Sequence, residues 1–526
     1  MKGGEAFDYD FVIVGSGFGG SVAALRLSEK GYKVLVIEKG KRLTAADFPK
    51  TNWNLSRYFW LPALGFTGLF QMTFFRHLAP LTGVGVGGGS LTYANTLAIP
   101  HREFFEAPSW AHLAPWEEEL KPFYATSLRM LGATANPRLQ AGDLALQTLA
   151  REIGKEHEFA PTQVAVYFGE PKVPAPDPYF QGRGPAREGC NFCGGCMLGC
   201  RYNAKNTLDK NYLYLAEQNG ARIQAEAEVY DVEPLGKAGG SEGYRVKWHQ
   251  STAWVNKRRG AYTCRGVVLA GGVLGTVKLL LDLKRTSLPG LSARVGHGVR
   301  TNSESLVGVT VPRKDAVFCE GVAIGSILHT DDNSHLEPVR YSAGSGFWRL
   351  LASPMVHGAN ALVRLLKIAG DWLRHPVWNL KVALVDDWSK RTQLLLFMQS
   401  LDSSLRFSKG RLGMATSVDG GPHPTAFIPE AKVMAERYSG IVGGKPMVLL
   451  TETVLGIPTT AHILGGCTMG PDSETGVIDK DNRVFGYENL WVCDGSMISA
   501  NLGVNPALTI TALSERAMSR IPRKDS

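Results

Sequence analysis

The sequence predicts an α/β protein with a nucleotide-binding parallel sheet and a second domain of mixed strands and helices. Its 526 residues exceed the size at which a single hydrophobic core stops growing, so at least two domains are expected. The stretch Tyr9–Gly40 joins a short apolar strand, a glycine-rich turn, a helix and a second strand. This is the order of a Rossmann-like unit. Residues Cys264–Leu281 repeat the strand, glycine turn and helix, and we expect them to extend the same sheet.

Composition and charge narrow the class of protein. The chain is 44% hydrophobic and 20% charged, as in ordinary globular proteins. A formal net charge of +9 fits a solvated basic surface, an acidic partner protein or an anionic membrane. No basic run is interleaved with aromatic residues, so we do not expect nucleic acid binding. The N-terminus shows no charged segment followed by an apolar stretch and a cleavage site, which predicts a cytoplasmic protein.

The first glycine cluster has the spacing of a dinucleotide site. Gly15, Gly17 and Gly20 form G-x-G-x-x-G directly after the strand Phe11–Val14. The first glycine permits the tight turn, the second admits a pyrophosphate, and the third lets the helix pack on the strand. Glu38, 18 residues beyond Gly20, can accept hydrogen bonds from a ribose. The unit by itself fits FAD and NAD equally well.

A second glycine cluster lies in Thr82–Thr96, where five glycines precede Ser90. Glycine at this density lets the backbone approach a flat or charged ligand closely. The alternative is a flexible linker. We disfavour it because apolar residues flank the cluster and no serine–glycine repeat continues.

Four of the eight cysteines crowd into one loop. Cys190, Cys193, Cys196 and Cys200 have the spacing C-x2-C-x2-C-x3-C, which is that of bacterial ferredoxins. Zinc sites separate two ligand pairs by a dozen or more residues, so we favour an iron–sulfur cluster of the 3Fe-4S or 4Fe-4S type. Structural zinc, reduced thiols and disulfides remain alternatives. The fourth cysteine of this motif often serves another cluster, so Cys200 need not be a ligand.

Two apolar segments suggest contact with a lipid surface. Tyr58–Phe75 has no charged residue, but Pro62 and four polar or glycine positions interrupt it, so we predict an apolar loop or lid and not a membrane span. Residues 347–384 combine apolar positions at helical spacing with arginines and lysines. That pattern fits an interfacial helix, and the alternative is an amphipathic helix facing the core.

Five blocks of sequence together resemble the glucose–methanol–choline oxidoreductase family, and within it the branch of the bacterial cholesterol oxidases. They are the Gly15 unit, GVGGGS at Gly85–Ser90, NAKNTLDKNYL at Asn203–Leu213, HILGGCTMG at His462–Gly470, and the stretch Asn489–Arg516 with its GVNPALTITALSER segment. The blocks cover both ends and the middle of the chain. The region between about 300 and 455 matches only loosely.

The resemblance implies noncovalent FAD in a discontinuous Rossmann-like domain, beside an α+β substrate domain with an antiparallel sheet. The expected parts are residues 1–105, 186–300 and 456–526 for the FAD domain, with the cysteine cluster in the second part, 106–185 for a linker and lid, and 301–455 for the substrate domain. The implied cofactor contacts are Gly15, Gly17, Phe18, Gly19, Gly20, Glu38, Gly85, Gly87, Gly88, Gly89, Ser90, Val229, Asp494, Gly495, Asn505 and Pro506.

Three residues are implied to act on substrate. His462 matches the active-site histidine of the family, and Asn505 matches its partner beside the flavin. Histidine suits proton transfer near neutral pH. Glu337 is the candidate for the glutamate that moves a proton when a steroid double bond isomerises; a surface carboxylate is the alternative. Tyr93 stands where the family has an asparagine, which makes the positioning of the substrate uncertain.

The expected function is FAD-dependent oxidation of a secondary alcohol on a hydrophobic molecule, with a 3-hydroxysteroid or sterol as the expected substrate. Electrons would leave through the cysteine cluster to an external carrier protein or quinone, which predicts a dehydrogenase more than an oxidase.

Alternatives are a dehydrogenase for long-chain, polyol or sugar alcohols, a fatty-acid photodecarboxylase, and a redox sensor without catalysis. His462 and Asn505 disfavour the last two. Peripheral membrane contact at the inner surface is a further expectation.

Overall fold

The computed structural model describes residues 7–236, 239–411 and 413–524; residues 1–6, part of the N-terminus from which a cytoplasmic location is expected, lie outside these ranges. Its α-helices, in chain order, are α1 Phe18–Glu29, α2 Leu55–Tyr58, α3 Arg102–Phe105, α4 Trp116–Met130, α5 Ala141–Glu152, α6 Tyr212–Gln218, α7 Gly272–Leu283, α8 Ala361–Arg374, α9 Pro376–Ala383, α10 Trp388–Arg391, α11 Pro429–Val442 and α12 Ala507–Ser519.

The strands are short, and most are buried. They are β1 Tyr9–Val14, β2 Val34–Ile37, β3 Trp60–Leu61, β4 Phe66–Thr67, β5 Phe70–Met72, β6 Ala79–Gly83, β7 Ala133–Ala135, β8 Phe159–Pro161, β9 Gln163–Ala165, β10 Pro174–Ala175, β11 Arg187–Glu188, β12 Arg222–Gln224, β13 Ala227–Pro234, β14 Tyr244–Gln250, β15 Arg259–Leu269, β16 Val299–Arg300, β17 Ser305–Thr310, β18 Ser326–Asp331, β19 Ser334–Val339, β20 Ala352–Pro354, β21 Thr392–Gln399, β22 Ser404–Gly410, β23 Gly413–Val418, β24 Lys445–Leu449, β25 Thr459–Thr460 and β26 Leu490–Val492.

The first large sheet is built around β1. Strands β12, β2, β1, β15 and β26 run parallel, and β14 and β13 continue the sheet antiparallel beyond β15. The central strands β1 and β2 are apolar apart from Asp10, because helices cover both faces of a parallel sheet. Its strands come from three separate parts of the chain, and the C-terminal β26 joins β15 in the middle of the sheet. The predicted α/β class with a Rossmann-like sheet is confirmed.

The second large sheet is antiparallel throughout. Its order is β20, β24, β17, β21, β19, β18 and β8. One face packs with α5 and α11 in a separate hydrophobic cluster. The other face turns toward the first sheet, so the space between the two sheets is open to ligands.

The two apolar segments take different forms. Tyr58–Phe75 folds into the small strands β3, β4 and β5 and packs by aromatic contacts, Tyr58 stacking on Phe70 with ring centroids 5.0 Å apart. Helix α8 contains no buried residue, so the alternative of a core-facing amphipathic helix is wrong. Across the described ranges, no helix combines the length and hydropathy needed to cross a bilayer.

Candidate active site

One cavity of about 1060 Å³ runs between the two sheets. Small-molecule sites span roughly 300–1,000 Å³, so this space suits a large ligand or two adjacent ones. One end is bounded by the carboxyl end of β1 and the start of α1. The other end is bounded by β17, β19, β21 and β24 of the antiparallel sheet.

The glycine turn after β1 has the geometry of a pyrophosphate cradle. Gly15 has φ +100°, and a Cβ there would lie 2.3 Å from the carbonyl oxygen of Ala270. A Cβ on Gly20 would lie 2.1 Å from the carbonyl oxygen of Gly15, which explains how closely α1 packs on the strand. At Gly17 a Cβ would meet nothing within 4 Å, because this position faces the cavity. The open side therefore presents backbone N–H groups and the start of a helix to an anion.

Glu38 lies at the end of β2, is buried and lines the cavity. Its carboxylate accepts hydrogen bonds from the backbone N and hydroxyl of Ser16, at 3.0 and 2.7 Å, and from Gly40 N at 2.8 Å. These bonds fix the carboxylate beside the glycine turn. A carboxylate has four acceptor sites, so capacity for ribose hydroxyls remains.

The predicted cofactor residues divide into two groups. Those that line the cavity are Gly15, Gly17, Phe18, Gly19, Glu38, Gly88, Gly89, Val229, Asp494, Gly495, Asn505 and Pro506. Gly20, Gly85, Gly87 and Ser90 do not line it. Ser90 is buried behind the loop, where its hydroxyl donates to Gly87 O at 2.7 Å and accepts from Leu208 N at 3.0 Å. Gly85, Gly87 and Ser90 shape the turn that carries Gly88 and Gly89, whereas Gly20 packs α1 against the first glycine turn.

No sequence motif predicted the two nitrogen-bearing side chains at the β13 end of the cavity. His249 and Lys257 line the cavity near Val229, in the antiparallel extension of the first sheet. Neither belongs to a recognisable motif, because β14 and the following loop carry scattered polar residues.

His462 lines the cavity and forms a buried pair with Glu304. The imidazole Nδ1 lies 2.7 Å from Glu304 Oε2. Glu304 also accepts a hydrogen bond from His462 N at 3.2 Å and one from the Thr460 hydroxyl. An ionised carboxylate only accepts, so Nδ1 carries the hydrogen and Nε2 is left free to accept a proton.

The pair controls ionisation on both partners. Burial disfavours charge on His462, but Glu304 outweighs it and raises the pKa of the imidazole. Burial likewise disfavours charge on Glu304, and His462 and Thr460 outweigh it and lower the pKa of the carboxyl. Sequence analysis missed Glu304. It is a single acidic residue ahead of the apolar strand β17, and no motif marks it.

Asn505 and Glu337 meet behind the cavity wall. Asn505 lines the cavity, and its Nδ2 donates to Glu337 Oε2 at 3.4 Å. Glu337 is fully buried in β19, so the alternative of a surface carboxylate is wrong. Burial raises its pKa to about 8. The structure thus brings His462, Asn505 and Glu337 to one region.

The wall opposite the cradle is apolar. Its side chains come from the antiparallel sheet and the small strands of Tyr58–Phe75, and include Trp60, Phe70, Leu306, Val339, Trp348, Leu394, Leu396, Met447 and Leu449. Tyr341 also lines it, but its hydroxyl is engaged with Tyr58 and Trp348. Phe74, 58% exposed, is part of the lining and places the cavity next to the protein surface. The residues present therefore fit a dinucleotide cofactor at one end and an apolar ligand at the other.

The four cysteines of the loop line one small cavity of their own. Cys190 Sγ accepts a hydrogen bond from Phe192 N, and Cys200 Sγ accepts one from Ala204 N, both at 3.4 Å. Burial raises the pKa of Cys190, and that of Cys193 to about 11. Burial opposes ionisation of Cys200 too, but Lys210 and nearby backbone N–H groups lower its pKa. The other four cysteines are buried elsewhere.

The cysteine loop has only some of the features of a metal site. The four thiols surround one space, and backbone N–H groups point at two of the sulfurs, as in iron–sulfur proteins. Within the part of the chain that the structure describes, however, no three histidine, cysteine or acidic side chains converge to hold a metal ion.

The cysteine loop adjoins the main cavity. Met197 lines the main cavity, whereas its neighbours Cys196 and Leu198 line the cysteine cavity. Lys205 is fully buried, and its Nζ donates to Leu91 O, Tyr93 O and Cys196 O at 2.8–3.0 Å. The lysine therefore ties the cysteine loop to the second glycine loop.

Comparison with known proteins agrees with this geometry. Residues 449–514 match the family model described as GMC oxidoreductase, and residues 13–68 match an NAD(P)-binding Rossmann-like domain. The chain is 45% identical to a cholesterol oxidase of Acinetobacter baumannii, over 98% of this chain and 95% of that protein. It is 42% identical to a cholesterol oxidase of Mycobacterium tuberculosis, over 98% and 92%. The crystal structure of pyridoxine 4-oxidase from Mesorbium loti shares the fold, with a TM-score of 0.63, 16% identity and coverage of 97% and 98%.

Replacing Glu304 by glutamine is expected to lower the pKa of His462, because the attraction of the carboxylate is lost while the burial penalty stays. Titration of the imidazole by NMR measures this, with the resonance assigned by its loss in His462→Gln. Glu430→Gln, at an exposed site at the start of α11, is the control. An unchanged pKa in Glu304→Gln would show that the pair does not govern the imidazole.

Proposed function

Because this chain belongs to the GMC oxidoreductase family and is an FAD-dependent alcohol oxidoreductase, we propose that its substrate is a secondary alcohol on an apolar molecule, a 3-hydroxysteroid or related sterol. The apolar wall supports this substrate class, since a sugar would need hydrogen-bonding side chains there. The relatives named cholesterol oxidase support it as well.

One observation carries the proposal. His462 lines the same cavity as the glycine cradle and the apolar wall, and Glu304 holds its imidazole from behind. Bound FAD supplies the acceptor for the carbinol hydride. His462 accepts the hydroxyl proton at Nε2, and Glu304 stabilises the imidazolium that results. Asn505 orients the hydroxyl or the cofactor through its amide, and the buried Glu337 stands behind it, held largely protonated near neutral pH by its raised pKa.

This pair also separates the alternatives. A photodecarboxylase needs no proton-accepting histidine, and a sensor without catalysis has no use for a free Nε2 in the cavity. A buried charged pair is costly to desolvate, so its presence beside the cavity favours a role in proton transfer. Long-chain alcohols fit the same apolar wall and are a second outcome of the substrate test below.

We also propose an iron–sulfur cluster in the cysteine loop. The ferredoxin spacing, the shared cavity and the N–H groups directed at sulfur support it. A cluster there would supply a one-electron carrier beside the flavin, since Met197 forms a common wall with the main cavity. The final acceptor would be an external carrier protein or quinone. The absence of a converged ligand set among the described residues makes metal analysis the decisive experiment.

A lipid surface is the proposed place where the enzyme meets its substrate. Helices α8 and α9 expose Leu362, Leu365, Leu366, Trp372, Leu373, Val377, Trp378 and Leu380 to solvent. Arg374 and Lys381 are exposed beside them. Arg364, on α8, donates to Val454 O at 3.0 Å, in the turn that follows Leu449 of the cavity wall. Apolar side chains flanked by cations suit an anionic bilayer.

His462→Gln is expected to keep FAD bound and to slow flavin bleaching by alcohol by roughly 10²–10⁴-fold, because proton acceptance is lost. Anaerobic stopped-flow absorbance, with cholesterol, a long-chain alcohol and glucose as separate substrates, measures it. His112→Gln, at an exposed site, is the control. Unchanged bleaching in His462→Gln would remove the proposed mechanism, and bleaching by glucose but not by cholesterol would remove the sterol class.

Purified protein is expected to contain iron and acid-labile sulfide and to give a cluster signal in electron paramagnetic resonance, in the isolated or the reduced state. Cys193→Ser should lose the iron and sulfide and also the resonance signal, because the substitution removes a ligand of the cluster. Cys264→Ala, at a buried cysteine far from the loop in sequence, should retain both. Zinc alone, or no metal, would end the cluster proposal and leave the flavin chemistry intact.

Leu366→Asp combined with Leu373→Asp is expected to weaken binding to phosphatidylserine-containing vesicles by about 100-fold or more, since each buried leucine contributes about 1.5–3 kcal/mol. Vesicle flotation measures this, and vesicles without anionic lipid should bind less tightly. Leu144→Asp, at an exposed position of α5, is the matched control. Equal binding by all three proteins would place the lipid contact elsewhere or nowhere.

A further inference from the structure

A row of histidines leads from Glu337 toward the protein surface. His335 precedes Glu337 by two residues in β19, so both side chains lie on the same face of the strand. His335 Nε2 lies 3.8 Å from Glu337 Oε1, and both side chains are almost completely buried. Among the described residues, neither atom has a hydrogen-bond partner. Two unpaired polar atoms therefore face each other in the interior.

The row of histidines continues on the neighbouring strand. His329 of β18 is the direct strand partner of His335, and their ring centroids are 5.6 Å apart. The ring of His101, at the start of α3, lies 4.8 Å from that of His329. Exposure increases along the row, since His335 is buried, His329 is half-buried and His101 is exposed. Adjacent rings are close enough to exchange a proton directly or through one water molecule.

Leaving a buried polar atom unpaired is destabilising, so two of them facing each other need a reason. We propose that His335, His329 and His101 form a proton path between the Glu337 carboxyl group and solvent, used during alcohol oxidation. The path rests on the proposed function because it needs a reaction that releases protons in the cavity. None of the three histidines touches the cavity, so they act through Glu337 and Asn505.

The balance of the reaction shows why an exit is needed. Oxidation of a secondary alcohol breaks the carbinol C–H bond and the O–H bond and forms a C=O bond. It releases two electrons and two protons. If the electrons leave singly to an external carrier, the two protons stay in a buried site and must reach water by another route. Imidazole suits this task, because one nitrogen can accept a proton while the other releases one.

The charges around the row are compatible with this role. Burial, with His329, His101 and His462 nearby, lowers the pKa of His335 to about 3. His335 is therefore neutral at rest and holds any proton that it takes from Glu337 only briefly. Burial and His101 lower the pKa of His329, and Glu158 opposes them. A proton then passes toward the exposed end without being trapped on an interior imidazole.

The test compares proton release with flavin reduction. In anaerobic stopped-flow with cholesterol and a pH-indicator dye, His335→Gln is expected to bleach its flavin at close to the wild-type rate, while proton release to solvent lags by roughly tenfold or more. His101→Gln should show a smaller lag, since water reaches that position. Imidazole added to His335→Ala should restore proton release. The control is His157→Gln, an exposed histidine paired with Glu158.

Proton release that keeps pace with bleaching in His335→Gln would overturn the path. If cholesterol and other alcohols fail to bleach the wild-type flavin, the proposed function fails instead, and a measurement without substrate then decides on the path. After transfer to D₂O, infrared spectroscopy follows exchange at the protonated Glu337 carboxyl, assigned by its loss in Glu337→Gln. Slower exchange in His335→Gln than in wild type supports the path, and equal rates contradict it.

Discussion

The buried pair of Glu304 and His462 is the interaction on which the site depends. Glu304 immediately precedes β17 of the antiparallel sheet, and His462 follows β25 on the way to the C-terminal part of the parallel sheet. The pair thus joins the two halves of the molecule at the cavity. Removing one partner of a buried ion pair destabilises a fold by about 3–5 kcal/mol. The position of the His462 ring and the ionisation of the pair are therefore maintained together. The free Nε2 that faces the ligand space is a direct consequence.

The two sides of the cavity differ in what they are made of. The cofactor side consists largely of backbone, because glycines at 15, 17, 88 and 89 leave peptide groups uncovered. The opposite side consists of branched and aromatic side chains from an antiparallel sheet. A backbone cradle suits a charged phosphate chain, which every dinucleotide shares. A side-chain wall suits selection among substrates, because it can be altered by substitution without disturbing the fold.

The sequence predicted well those features that depend on local spacing. The α/β class and the Rossmann-like sheet are confirmed, because glycine turns and their flanking strands leave a fixed pattern. The alcohol oxidoreductase activity, which the family resemblance implied, is confirmed as well. Glu304, His335 and His329 left no such pattern. None of them belongs to a motif, and only the pairing of strands and the fold around them bring them to the site. The orientation of α8 was also ambiguous, since a helix with one apolar face can cover a core or face a bilayer, and periodicity is the same in both cases.

The placement of Met197 has a consequence for how this protein can change over evolutionary time. Three consecutive residues face two compartments in turn, with Cys196 and Leu198 on one side and Met197 on the other. A shift of this loop that resizes one compartment must displace the lining of its neighbour. Lineages that lose the cysteines are therefore expected to carry compensating changes at 197 and in the glycine loop held by Lys205, so that these positions vary as a group.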